Sequence, residues 1–148
     1  MTDQESGESL KPTAVICDLD GTLALIGDRD PYAAQKCSVD TVNEPVAMVL
    51  KWARAAGHAI LLVSGRGFQA SHRTATERWL ARHQIGYDEL LLRPTFDRSK
   101  DYDMKLRIYR DQIRPRYRVV FVMDDRGSVV QMWRREGLTV FQVDDPDE

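Results

Sequence analysis

The stretch Ala14–Ala24, AVICDLDGTLA, decides how the rest of the chain is read. Four apolar residues run straight into two aspartates one residue apart, Asp18 and Asp20, and the chain then breaks at Gly-Thr. A continuous apolar run is the pattern of a strand covered on both faces, and its carboxyl end is where open α/β sheets place their sites. The acid pair either closes the strand or forms a reaction centre, because aspartate is also common in turns.

Outward from this stretch the same pattern recurs. TAVICD (13–18), HAILLVS (58–64), DELLLR (88–93), RVVFVMD (118–124) and LTVFQV (138–143) read as strands of a parallel sheet buried on both faces. Between them Val46, Val49, Leu50 and Ala53 recur at helical spacing behind an Asn43 cap, and Gly57 is placed to end that helix. ATERWLARHQIG, between Ser71 and Gly86, reads as a second helix. Leu106, Tyr109 and Ile113 mark a third over 101–113, and Val129, Met132 and Trp133 a fourth before Gly137. The alternation predicts an α/β fold with a doubly wound, mainly parallel, Rossmann-like sheet.

Composition sets the outer limits. With 148 residues and 43% apolar content, one core is expected over 13–148, behind a polar and acidic tail over 1–12. The apolar runs AILLV and VVFVM are about five residues long, against about 20 for a membrane span, and the opening MTDQESGESLK is unlike a signal peptide. No membrane association and a cytoplasmic location are therefore expected. Cys17 and Cys37 lack metal-type spacing and read as reduced thiols. A net charge of −2 argues against non-specific wrapping of nucleic acid, which needs an excess of Lys and Arg, but is compatible with gripping one polymer end.

The strand ends then gather the chemistry. They carry Asp18 and Asp20, Ser64 with Arg66, Arg93, and Asp124 with Asp125, while Lys105 stands near the start of the third helix. Converging carboxylates repel unless a cation neutralises them, and oxygen ligands without His or Cys suit Mg²⁺. His58, His72 and His83 are scattered, and none is assigned to the metal. A bound divalent ion attracts phosphate oxygens, and Ser64, Lys105 and the arginines supply donors for the remainder of the group.

DLDGT, VSGR, a downstream lysine and MDDR, in this order and each at its strand end, resemble the haloacid dehalogenase phosphohydrolase superfamily. The resemblance implies that Asp18 is a nucleophile forming an aspartyl phosphate and Asp20 the general acid and base. It further implies Ser64, Arg66 and Lys105 as catalytic partners, and as Mg²⁺ ligands Asp18, the Asp20 backbone carbonyl and the Asp124/Asp125 pair, either of which binds directly while the other acts through water. A narrower similarity, carried by DLDGTLALIGDRDPYAAQKCSVDTVNEPV, VSGR, KDYDMK and MDDRGSVVQMWRREGLTVFQV, is to the 3′-phosphatase domain of phage-type polynucleotide kinase-phosphatases, from about residue 13 onward. It implies roles in the phosphatase reaction for Arg29 and Asp101 and, as substrate, the 3′-phosphate ends of DNA or RNA. No GxxxxGK[ST] loop is present, so a kinase or ligase activity is expected to come from a separate partner. Segments 23–43 and 93–104 leave no room for a folded cap, so an open site is expected.

Plainer readings stand beside these. Arg29 also suits a solvated GDRDP turn, and Asp101 a helix N-cap, a role compatible with orienting Lys105 or an arginine. RSK (98–100) reads as a solvated loop from which Arg98 is a candidate backbone contact. Trp52, Trp79 and Trp133 read as core or interface aromatics rather than base-stacking platforms. The competing functions are a phosphatase of small esters and a phosphate-binding module without turnover.

Overall fold

The computed structural model describes residues 10–67 and 69–146. Strand β1 (Thr13–Cys17) is followed by a short hairpin, β2 (Ala24–Leu25) and β3 (Thr41–Val42), which encloses a 3-10 helix over Ala34–Val39. Then come α1 (Glu44–Ala55), β4 (Ala59–Gly67), α2 (Ala70–Arg82), β5 (Glu89–Arg93), α3 (Asp101–Ile108), β6 (Arg118–Asp124), α4 (Gly127–Arg135) and β7 (Val140–Gln142). The sheet order is β5-β4-β1-β6-β7, and every pairing is parallel. Helix α3 continues into a π-turn over Tyr109–Ile113, so the helical run ends at 113 as the spacing predicts.

Side chains of β1 alternate between two cores. Val15 and Cys17 join Val46, Leu50 and Ala53 of α1 and Trp79 and Leu80 of α2, whereas Ala14 and Ile16 join Met104 and Ile108 of α3 and Val129, Val130 and Trp133 of α4. The sheet is therefore wound on both faces, with the topological switch at β1. Its carboxyl end is where a crevice must open.

Several sequence expectations need correction. Burial on both faces holds for β1 and β4 but not for the whole of β6 and β7, where Val120 and Phe141 are exposed. Helices α1 and α2 pack toward β4 and β5, so β6 and β7 are left with partial cover on that face, where Phe121 and Phe141 pack their rings on each other, centroids 4.9 Å apart. The Asn43 side chain does not cap α1; its Nδ2 donates to the Thr22 carbonyl (2.8 Å) and ties the helix to the loop after β1. Trp79 and Trp133 are core residues, but Trp52 is 63% exposed because Val46, Leu50 and Ala53 define the buried stripe and Trp52 falls outside it. Gly57, with φ +96°, does end α1 as expected.

Of the tail expected over 1–12, residues 1–9 lie outside the described residues, and the Pro12 carbonyl accepts the Arg118 N–H at 2.9 Å, extending the β1–β6 pairing. Cys17 and Cys37 are buried and free. Among the described residues no helix is long and apolar enough to cross a membrane. The segments at 23–43 and 94–100 hold only the hairpin with its 3-10 turn and a short loop, so among the described residues no cap covers the strand ends.

Candidate active site

The loop after β1 folds back on itself at once. The Asp18 N–H donates to the Met123 carbonyl of β6 (3.0 Å), the Leu19 carbonyl accepts from Thr22, Leu23 and Ala24, and Gly21 turns the chain at φ +85°. A Cβ at Gly21 would collide with the Asp125 carboxylate, so only glycine lets this loop lie against the β6 end. The Thr22 hydroxyl is within hydrogen-bond reach of both Asp18 Oδ2 (3.2 Å) and Asp125 Oδ1 (3.1 Å). Gly-Thr after the acid pair is thus the device that joins the two strand ends.

Around that joint, Asp18, Asp124 and Asp125 each place a carboxylate oxygen within 4.8 Å of the others. Lys105 Nζ, reaching in from α3, donates to Asp18 Oδ1 (2.8 Å) and Asp124 Oδ2 (3.2 Å). The second oxygen of Asp124 accepts the Asp125 N–H (2.8 Å), and the Trp133 indole N–H also donates to Asp124 Oδ2 (3.2 Å). Three buried acids therefore face one ammonium. Burial pushes the Asp18 carboxyl well above the usual range, and Asp124 reinforces the rise against the opposing pull of Lys105. Burial and Asp124 raise Asp125 as well. Burial alone would depress Lys105, but Asp124 and Asp18 outweigh it and hold the amine above the ordinary lysine range. A cluster of hard oxygens short of positive charge fits Mg²⁺, as the strand-end pattern predicts.

Asp20 belongs to a different cluster. Arg66 Nη2 donates to Asp20 Oδ1 (2.6 Å) and to Asp40 Oδ2 (3.0 Å), and Arg66 Nε to Asp20 Oδ1 (3.1 Å). Arg29 bridges the same two acids, Nε to Asp40 Oδ1 (2.8 Å) and Nη2 to Asp20 Oδ1 (3.4 Å). The arginine and Asp40 side chains are at most 3% exposed, whereas that of Asp20 is 28% exposed. Arg66 Nη1 donates to Thr76 of α2 (3.0 Å), and the Asp40 carbonyl accepts the Trp79 indole N–H (3.0 Å). The quartet is thereby bolted to α2. Burial would lower the Arg66 guanidinium, but its bond and charge pairing with Asp20 hold it above its ordinary value. Ser64 is buried, and its hydroxyl accepts the Arg66 N–H at 3.1 Å.

Asp101 lies on a third arrangement. Lys100, not Asp101, occupies the N-cap position of α3, with no side-chain capping bond, so the capping reading is corrected. The Asp101 carboxylate instead accepts from Arg93 Nη2 and from Arg126 Nη1 (2.9 Å). Arg126 follows Asp125 directly, so this pairing runs beside the Asp124/Asp125 pair. Arg98 is exposed on the 94–100 loop and enters none of these clusters. Sequence reasoning missed Asp40, Thr76 and the Trp133 bond to Asp124. Asp40 sits between a 3-10 turn and a two-residue strand, where no periodic pattern marks it.

The model of the polynucleotide kinase PNKP phosphatase domain family matches residues 12–147. The chain belongs to this family. That bears out the resemblance carried by DLDGT, VSGR, KDYDMK and MDDR, along with the haloacid dehalogenase fold. The chain is 50% identical to one in the structure of the Pnkp1/Rnl/Hen1 RNA repair complex, with a TM-score of 0.88, covering 93% of this chain and 44% of that one. A second Pnkp1/Rnl/Hen1 structure gives 49% identity and a TM-score of 0.89 over 95% of this chain and 48% of that one. The chain is also 36% identical over 136 residues to an Autographa californica nuclear polyhedrosis virus protein assigned as a bifunctional polynucleotide kinase/RNA ligase, covering 89% of this chain and 19% of that protein. The chain therefore spans less than half the length of each of these relatives.

Proposed function

We propose that residues 13–148 act as one Mg²⁺-dependent phosphatase domain that removes the terminal 3′-phosphate from a nucleic acid. The observation that carries the proposal is the different wiring of the two nearly adjacent acids. Asp18 lies among three carboxylates that share one ammonium, Lys105, and Asp20 lies between two buried guanidiniums with one edge open.

Asp18 and one or both of Asp124 and Asp125 would hold the ion, with the Asp20 backbone carbonyl as a further ligand. When bound, the ion supplies positive charge against which a phosphate dianion can approach a carboxylate. Lys105, hydrogen-bonded to Asp18, holds that carboxylate in place and contributes charge toward the same phosphate. One Asp18 oxygen attacks phosphorus as the bond to the 3′-oxygen breaks, and Asp20 delivers a proton to the departing alkoxide. Asp20, now ionised, takes a proton from water, and that water hydrolyses the Asp18 phosphate, releasing inorganic phosphate and restoring both acids. Arg66 and Arg29 fix the direction in which Asp20 moves its proton, and Ser64 steadies the backbone of Arg66.

The strand ends left uncovered among the described residues favour a polymer end over a free sugar phosphate, which needs enclosure for binding area. Arg98, exposed at the rim, is suited to a backbone contact, and Asp101 orients Arg93 and Arg126 beside the metal acids. RNA ends are supported by the similarity to a chain of an RNA repair complex, and a 3′-hydroxyl end is what a ligase-class partner consumes. A cytoplasmic site of action accords with two free thiols.

The test is kcat/KM for nucleoside 3′-monophosphates and for 3′- and 5′-phosphorylated di- and trinucleotides at low and moderate salt. Efficiency should rise with length for 3′-phosphates, level off once the rim is filled, and lose that gain as salt rises. A preference for free mononucleotides with no length dependence would overturn the polymer-end reading in favour of a small-ester phosphatase.

A further inference from the structure

Two of the most exposed large apolar side chains stand on loops tied to the site. Tyr32 is 88% exposed and Phe96 is 93% exposed. Tyr32 follows Arg29 in the 26–33 segment, whose Arg29 side chain is pinned to Asp20 and Asp40, and Asp40 in turn to Trp79 of α2. The Phe96 loop is held from the other face of the sheet. Arg93 donates to the carbonyls of Gly65 (3.3 Å) and Ser99 (2.7 Å) and to Asp101 at the start of α3, and Arg107 of α3 donates to Asp97 (2.7 Å). The two loops that carry these rings are therefore tied to the strand-end region, one from the α2 side and one from the α3 side.

Phe96 is also in an expensive conformation. It sits at the third position of a turn closed by the Asp97 N–H on the Pro94 carbonyl (3.1 Å), with φ +66°. Glycine or asparagine is the ordinary occupant there, because a bulky L-residue is strained in the left-handed region. A strained ring that buries almost nothing of itself in the protein contributes little to the fold. Such outliers persist where the surroundings hold a side chain for a task. The Asp97–Ser99 bonds (2.8 Å to the backbone N–H) and Arg107 brace the loop in that shape, and together they hold the Asp97 carboxyl down to about 2.

We propose that Phe96 and Tyr32 are stacking platforms for the nucleobases beside the 3′-phosphate, and so select single-stranded ends without reading their sequence. The inference rests on the polymer-end reading above. Every base offers a π-face, so stacking tolerates any sequence, and the open rim leaves both rings in reach of an unpaired base. A paired terminal base is already stacked in its duplex and gains little from either ring.

The test compares the wild type with Phe96→Asn, which keeps a residue suited to the turn but removes the ring, with Phe96→Trp, and with Tyr32→Ala. Substrates are a single-stranded 3′-phosphorylated trinucleotide, the same molecule with an abasic terminal nucleotide, and glycerol 2-phosphate. Phe96→Asn and Tyr32→Ala should each lower kcat/KM for the trinucleotide by on the order of 10-fold, leave glycerol 2-phosphate unchanged and lose nothing further on the abasic substrate. Phe96→Trp should retain the wild-type value, and the melting temperature of Phe96→Asn should not fall. Trinucleotide preference retained in both ring-deleted variants would overturn the inference alone. A wild type that does not prefer the trinucleotide to glycerol 2-phosphate would overturn the polymer-end reading and this inference with it.

Discussion

Asp18 and Asp20 are two residues apart, yet the clusters they enter follow opposite charge rules. Around Asp18, three buried acids share one amine and repel one another, and burial raises Asp18 and Asp125 as a result. Around Asp20, two acids meet two guanidiniums, and the arginine donors are spent within the quartet, on Thr76 and on the Asp30 carbonyl. The first cluster is short of positive charge, which fits the cation and anionic substrate of the proposed function. The second is complete and holds a single geometry. A reaction centre needs both kinds, since the site where charge develops must be short of partners while the group that times proton transfer must not wander.

The largest effect expected from this contrast is on turnover. Asp18→Asn should reduce phosphate release from a 3′-phosphorylated oligonucleotide by on the order of 10⁴-fold or more, since the amide keeps the shape but removes the nucleophile. The metal-free variant should melt no lower than the wild type, because one of three mutually repelling carboxylates is gone. Activity retained in the folded variant would break the assignment of Asp18. A lower melting temperature would show that its cluster is not the strained one.

Asp40 offers the complementary break. Asp40→Ala leaves two buried guanidiniums with one carboxylate, so unfolding stability in urea should fall by about 3–5 kcal/mol, the usual cost of unpairing a buried ion pair. Turnover should fall on the order of 10²-fold as Arg66 and Arg29 lose their brace and Asp20 its direction. If instead Asp40→Ala proves as stable as the wild type, the quartet is not the rigid element.

The same contrast explains how much was readable in advance. Asp18, Asp124 and Asp125 were legible because each sits at the end of a strand whose apolar pattern fixes its position, and Lys105 because it lies within a helix marked by its own spacing. The ends of buried parallel strands must converge, so local pattern implied the tertiary meeting. Asp40 carries no such mark, and its partners arrive from a turn (Arg29), a strand end (Arg66) and the interior of α2 (Trp79). Asn43, and Asp101 in its plainer reading, suggest local caps, but they are claimed by distant partners, the Thr22 carbonyl and two arginines. Local chemistry offers such side chains only the nearest backbone, whereas the folded chain offers charged partners that bind them more strongly.

The smallest of these effects is also the one that separates an incomplete cluster from a merely acidic one. Asp18 and Asp125 have raised carboxyl pKa values in the folded, metal-free protein, so the folded state binds protons more tightly than the unfolded chain. Stability from these groups is then fully present below the ordinary carboxylate range and is lost as pH rises through the raised values. Bound Mg²⁺ replaces the missing proton, and at about 100-fold above its dissociation constant it should add about 2.7 kcal/mol. The increase in melting temperature on adding Mg²⁺ should therefore grow as pH rises from about 5 toward neutrality, where protons no longer compete for the carboxylates. Asp97 and Glu89, depressed by hydrogen bonds and arginines, follow the opposite rule, so total stability mixes both signs. The informative quantity is the wild-type Mg²⁺ shift minus that of Asp18→Asn at each pH, which cancels distant groups. A difference that stays flat with pH, or that grows toward acid, would mean that Asp18 carries no excess proton in the metal-free fold, and the division into an incomplete and a complete cluster would fail on its first member.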